Sequence, residues 1–132
     1  MADQTVVGLE SVVKRAFELL DAMDLRGLGS MFTDDAQGVD EISGRWTRGR
    51  AALEAHLALL EGSVTDVRSQ LSDLHTTTWG EVGVATFVLD QTYQMNGQRQ
   101  SLSAPTSMVF RRQDDDWKVA LLHSVPIPEQ EA

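Results

Sequence analysis

The chain is expected to fold as an α+β domain, with three N-terminal helices on one face of a strongly curved, mostly antiparallel sheet. Two observations predict this. Up to Glu61 apolar residues recur at three- and four-residue steps, the period of an amphipathic helix. Beyond Gly62 the chain turns to β-branched residues and strict alternation, and Asn96-Gly97 is the strongest short hairpin signal available. With 132 residues and neither repeats nor a linker-like tract, it reads as one domain spanning 1–132, with 126–132 a short acidic tail.

The first helix is expected from about Asp3 to Met23, with Leu9, Val12, Val13, Ala16, Phe17 and Leu20 on its buried side. Asp24 is placed to cap a second helix, Leu25 to Phe32. Asp34-Asp35 reads as a turn, and a brief strand then carries Asp40 between Val39 and Ile42. Residues 44–49 read as a loop, and Arg50 to Glu61 as a third helix stopped by Gly62, with Leu53, Leu57 and Leu60 on one face. Strands follow over Val64–Trp79, Val82–Met95, Gln98 to about Arg112, and Trp117–Val125. In the second of these, Ala85, Phe87, Leu89 and Tyr93 share a face. In the last, Trp117, Val119, Leu121 and His123 would do so.

Composition narrows the function classes. A formal net charge of −9 argues against a nucleic-acid binder, which needs a basic face, and equally against docking on anionic lipid. The absence of cysteine removes disulfides, thiolate nucleophiles and cysteine metal sites. No apolar run reaches the ~20 residues of a membrane span, and no signal-peptide pattern opens the chain, so a cytoplasmic protein is expected. His56 and His75 lack the spacings that hold a metal, the glycines form no phosphate or dinucleotide loop, and no serine sits in a Gly-x-Ser-x-Gly setting. Neither a metal nor a cofactor is expected.

Asp40 supports two readings. With Glu41 it can begin a solvated turn before Gly44, or it can face an apolar cavity, where desolvation would suit a general base. His123 is the polar group that would reach such a cavity from the last strand, unless it is a structural histidine at a strand end. Tyr93 is a second candidate donor, or an aromatic at the rim or at a subunit interface. Phe17, Phe32 and Trp46 are expected to wall the cavity, with Thr106 and Met108 from the return strand also contacting a ligand. His56 flanks the leucine face of the third helix and reads as a partly buried histidine with a backbone partner. Arg45, Arg48 and Arg50 read as a solvated cluster, or as a guide for an anionic substrate.

The motif Asp24-Leu25-Arg26-Gly27-Leu28, then Met31-Phe32-Thr33-Asp34-Asp35-Ala36, resembles the nuclear-transport-factor-2-like (NTF2-like) superfamily, in its SnoaL-like and ketosteroid-isomerase-like branch. Gly44-Arg45-Trp46 with Gly49-Arg50, Met108-Val109-Phe110-Arg111-Arg112, Trp117-Lys118-Val119 and His123-Ser124 extend the resemblance over nearly the whole chain. It implies a cone-shaped domain with a mixed sheet, a deep apolar pocket for a small molecule, and a homodimer through the outer sheet face. The resemblance also implies cofactor-independent acid–base chemistry next to a carbonyl, of isomerase, polyketide-cyclase or dehydratase type. Asp40 matches the position of the ketosteroid isomerases' base, whereas their oxyanion-holding Tyr and Asp fall on Ala16 and at or near Thr106. Losing such a donor costs a factor of ~100 to 1,000, so steroid isomerisation is not expected. The alternative is a non-catalytic ligand-binding or dimeric assembly module.

Overall fold

The computed structural model describes residues 8–40, 42 and 44–127. Three helices, α1 (Leu9–Asp21), α2 (Leu25–Ser30) and α3 (Arg50–Ser63), cover one face of a six-stranded sheet. The strands are β1 (Phe32–Val39), β2 (Trp46–Arg48), β3 (Val64–Trp79), β4 (Val82–Met95), β5 (Gln98–Gln113) and β6 (Asp116–Ser124). Their order across the sheet is β2-β1-β6-β5-β4-β3, with β1 and β6 parallel and all other neighbours antiparallel. The α+β class and mixed sheet are thus as expected.

The core lies between helices and sheet. Val13, Phe17 and Leu20 of α1 meet Ala85, Phe87 and Leu89 of β4 and Phe110 of β5, all buried. Phe17 and Phe87 pack edge to face, 5.6 Å between centroids at 83°. Asp24 caps α2 by accepting from the Gly27 N–H at 3.0 Å, and Asp21 at the end of α1 accepts from both the backbone N–H and the hydroxyl of Ser69. The two Asp21 bonds fix α1 against β3. The β4–β5 hairpin turns at Asn96 (φ 53°) and Gly97 (φ 78°), the paired positive angles that such a two-residue turn demands.

Several local expectations change. Asp34-Asp35 forms no turn but lies within β1. The Thr33 hydroxyl donates to Asp35 at 2.8 Å and, with Arg111 adding a smaller effect, holds that carboxyl below its ordinary range. The loop expected at 44–49 contains β2, which pairs with β1 through Gln37–Arg48, Gly38–Thr47 and Val39–Trp46. Gly62 does not stop α3, which continues through Ser63 directly into β3. The start expected for α1 and most of the acidic tail lie outside the described residues, although Ile127 still donates its N–H to the Ser103 carbonyl.

Strand β6 changes face partway along its length. Phe110 pairs with Val119 but Val109 pairs with Leu121, so Ala120 is an extra residue in β6. One inserted residue exchanges the faces of everything after it. Trp117 and Val119 point into the core, but beyond the bulge it is Leu122 and Ser124 that point inward, and His123 is exposed.

Candidate active site

The site forms where short strands meet α3. Along β1 the inward positions are Ala36 and Gly38, and one step beyond the strand the same alternation brings Asp40 inward. Thr47, the inward residue of β2, stands directly opposite Gly38. A Cβ on Gly38 would lie 3.1 Å from the Leu122 carbonyl, so glycine permits the close approach of β1 and β6 here. From α3, Leu53, His56, Leu57 and Leu60 face inward at three- and four-residue spacing. Together with Ala16, Phe17, Leu20, Leu28, Phe32, Ile42, Met108 and Leu122 they enclose a cavity of about 80 Å³.

The cavity is walled almost wholly by hydrocarbon, and its ionisable pair is Asp40 and His56. His56 Nε2 and Asp40 Oδ2 are 2.5 Å apart, with the two side chains only 18% and 15% exposed. A carboxylate can only accept, so the imidazole N–H donates to it. Because the bond lies largely out of water, it is electrostatically stronger than it would be in solvent.

What brings the pair together is the seating of α3 on β1. The Gly49 N–H donates to the Ala36 carbonyl at 2.8 Å, from a backbone at φ 86°, ψ 167° that is essentially restricted to glycine. Arg50 then donates to the carbonyls of Gly29 (2.8 Å) and Phe32 (2.7 Å), tying the first turn of α3 to the joint between α2 and β1. Six residues later the helix presents His56 to Asp40.

Of the residues singled out from the sequence, Asp40, Phe17, Phe32 and Met108 line this cavity. Trp46, His123, Tyr93 and Thr106 do not. Trp46 is 50% exposed on the outer face of β2, where its ring stacks parallel to that of His123 (5.9 Å, 1°) and Arg48 lies 4.8 Å from its centroid. Tyr93 is buried in the main core, on the inward face of β4. Thr106 is buried beside Ser124, 3.0 Å between hydroxyl oxygens, and donates to the Ala104 carbonyl. Asp90 is exposed on the outer face, and His75 pairs with Asp73 at the surface. Ala16 contributes only a methyl group to the wall.

His56 is the functional candidate that sequence reasoning passed over. Its signal was present: it shares the i, i+3, i+4, i+7 face with Leu53, Leu57 and Leu60, so it had to point where they point. The structure gives it a carboxylate partner, Asp40. Among the described residues no group of three or more metal-ligating side chains converges.

A family model for the SnoaL-like domain matches residues 9–128, nearly the whole chain. The chain belongs to the SnoaL-like family. No curated protein sequence matches it. This SnoaL-like domain is similar to a proposed dehydratase of the NTF2-like family from Streptomyces avermitilis, at 19% identity and a TM-score of 0.84 over 98% of this chain and 100% of that one. It is similar to a ketosteroid isomerase-like protein from Erwinia carotovora atroseptica, at 12% identity and a TM-score of 0.80 over 96% and 99%. It is similar also to the CaMKII hub of S. rosetta, at 13% identity and a TM-score of 0.74 over 90% and 94%. At these identities the likeness establishes a shared fold, and the fold hosts enzymes and assembly modules alike.

Proposed function

We propose that this SnoaL-like domain binds a small apolar carbonyl compound and moves a proton on the carbon next to the carbonyl, without a cofactor. The single observation that supports this is the Asp40–His56 pair inside an otherwise apolar cavity. In the proposed reaction Asp40 takes the proton: the C–H bond breaks, its electron pair forms the enolate, and an O–H bond forms on the carboxyl. His56 orients the carboxylate through Nε2 and stabilises its charge before transfer. Returning the proton to another carbon of a conjugated substrate would complete an isomerisation, and loss of a β-hydroxyl as water a dehydration. His56 takes the place beside the base that the sequence offered to His123 or Tyr93. The dehydratase and ketosteroid isomerase-like descriptions of two structural neighbours fit proton chemistry of this kind.

The test needs no knowledge of the natural substrate. Cyclohexanone in D₂O exchanges its α-protons when a base acts on them, and proton NMR follows the loss. Wild-type protein is expected to accelerate exchange, and Asp40→Asn to remove roughly 100- to 10,000-fold of that acceleration, the usual range for a positioned acid–base group. Equal rates for wild type, Asp40→Asn and buffer would sink the proposal.

A second reading, an assembly module, is favoured by the outer sheet face. Val84, Val109 and Leu121 stand side by side across β4, β5 and β6, half-buried with no helix over them among the described residues, and Val88 with Pro105 stands beyond the intervening polar row of Thr86, Ser107 and His123. A neighbour named as a hub has the same fold. A homodimer through this face is compatible with either reading. Sedimentation is expected to give twice the chain's 14.5 kDa, falling to one chain in Val109→Arg, and a wild-type monomer at tens of micromolar would exclude the dimer.

A further inference from the structure

We propose that the cavity selects compact, uncharged carbonyl compounds and turns away their carboxylate counterparts, with the Thr47 hydroxyl as the neutral partner of the carbonyl oxygen; this rests on the ligand-binding reading above. Asp40 and His56 supply the ionisable side chains of the wall, and no Lys or Arg lines it among the described residues. Arg48 and Arg50, near the mouth, are engaged away from it. Arg48 donates from Nε to Gln37 Oε1 at 3.0 Å on the outer face and lies against Trp46. Arg50 is consumed by the carbonyls of Gly29 and Phe32, with Asp34 beside it at 3.4 Å. Arg45 is exposed and is not part of the wall. An anionic ligand would therefore lose its hydration without gaining a cation, next to a carboxylate that already holds the one imidazole. The sequence had left open that this arginine cluster guides an anion; the positions of Arg48 and Arg50 speak against it.

Size sets the second limit. On the same measure of volume one water requires roughly 10–15 Å³, so about 80 Å³ accommodates on the order of six heavy atoms, a single ring and not a fused polycycle. The third element is Thr47. The side chain of Gln37 is drawn to the outer face by Arg48, so Thr47 is the wall residue left with a neutral polar side chain. It faces Gly38, which has no side chain to cover it. A hydroxyl placed there can donate to a carbonyl oxygen that a dissolved ketone would otherwise present to water.

The experiment is a pair of titrations followed in ¹H–¹⁵N correlation spectra of the intact chain, with cyclohexanone and with cyclobutanecarboxylate, an anion of the same heavy-atom count, on wild type, Thr47→Val and Thr47→Ser. The ketone is expected to shift the signals of Gly38, Thr47 and His56, and the carboxylate to bind at least about tenfold more weakly. Thr47→Val should weaken the ketone about 2- to 10-fold, while Thr47→Ser, which keeps the hydroxyl, should not. A carboxylate that binds as tightly as the ketone overturns the charge selection, and unchanged ketone affinity in Thr47→Val overturns the role of Thr47. If neither compound binds wild type, this proposal and the ligand-binding reading fall together. If the ketone binds selectively but its α-protons do not exchange, only the general-base assignment fails.

Discussion

Strands β3, β4 and β5 run for 16, 14 and 16 residues in antiparallel pairing, whereas β1, β2 and β6 span 8, 3 and 9 and include the parallel pair. The long half is the scaffold: Ala85, Phe87, Leu89 and Tyr93 all point from β4 into one continuous core. The short half encloses space. There the bulge at Ala120, the bare Gly38 and the Gly49 turn each give up regular pairing or packing, and the cavity with Asp40 and His56 lies where they meet. Most of the packing is thus held in the long half and the ionisable pair in the short one, with Met108 of β5 shared between core and cavity wall, and a functional site can tolerate local irregularity because the core beside it is well packed.

The sharpest way to break this comparison is to truncate one leucine in each half. Leu89 has no exposed surface, so Leu89→Ala should cost about 2–5 kcal/mol in urea unfolding, the range for a buried leucine whose neighbours cannot collapse into the void. Leu57 is half-buried and already borders a cavity, so Leu57→Ala should cost less than about 2 kcal/mol while enlarging the site. Its ligand preference should move toward bulkier ketones. Equal losses from the two substitutions would mean that the cavity wall carries as much of the stability as the core, and the division between halves would fail.

The same division governs how far the sequence could be read. Helix faces, the long strands and the Asn96-Gly97 hairpin follow from local periodicity, and all were legible. In the short half the deciding features are not local. Nothing in Trp117-Lys118-Val119-Ala120-Leu121 announces a bulge, because Ala120 becomes the extra residue only through the pairing of β6 with β5 and β1. Strict alternation therefore placed His123 in the cavity, while the structure places it outside, against Trp46. Asp34-Asp35 looked like a turn because aspartates favour turns, yet the Thr33 hydroxyl and Arg50 and Arg111 from distant segments let the pair sit in a strand. Asp40 was visible as an oddity between apolar residues. Its partner was not, since sixteen residues and a whole strand separate it from His56.

A smaller effect sharpens the comparison, because each half holds one exposed aspartate whose carboxyl lies below its ordinary range, for different reasons. Asp66, in left-handed backbone at a register shift of β3 (φ 52°), is held down first by the Arg99 guanidinium that reaches it from β5, with Arg68 adding to the effect. Asp35 is held down first by the neutral Thr33 hydroxyl. A carboxyl lowered in the folded state adds stability above its unfolded pKa of about 3.9, and that stability is lost as pH falls through the folded value. Asp66→Asn and Asp35→Asn should therefore both be slightly less stable than wild type at pH 7 and converge with it as the pH falls through the folded value. Salt separates them. Surface ion pairs are screened while neutral hydrogen bonds are not, so 1 M NaCl should erase most of the Asp66→Asn deficit and leave more of the Asp35→Asn deficit in place. Melting temperatures at pH 7, with and without salt, decide it: if both deficits shrink alike, Arg111 rather than Thr33 governs Asp35, and the two halves hold their surface acids by the same means.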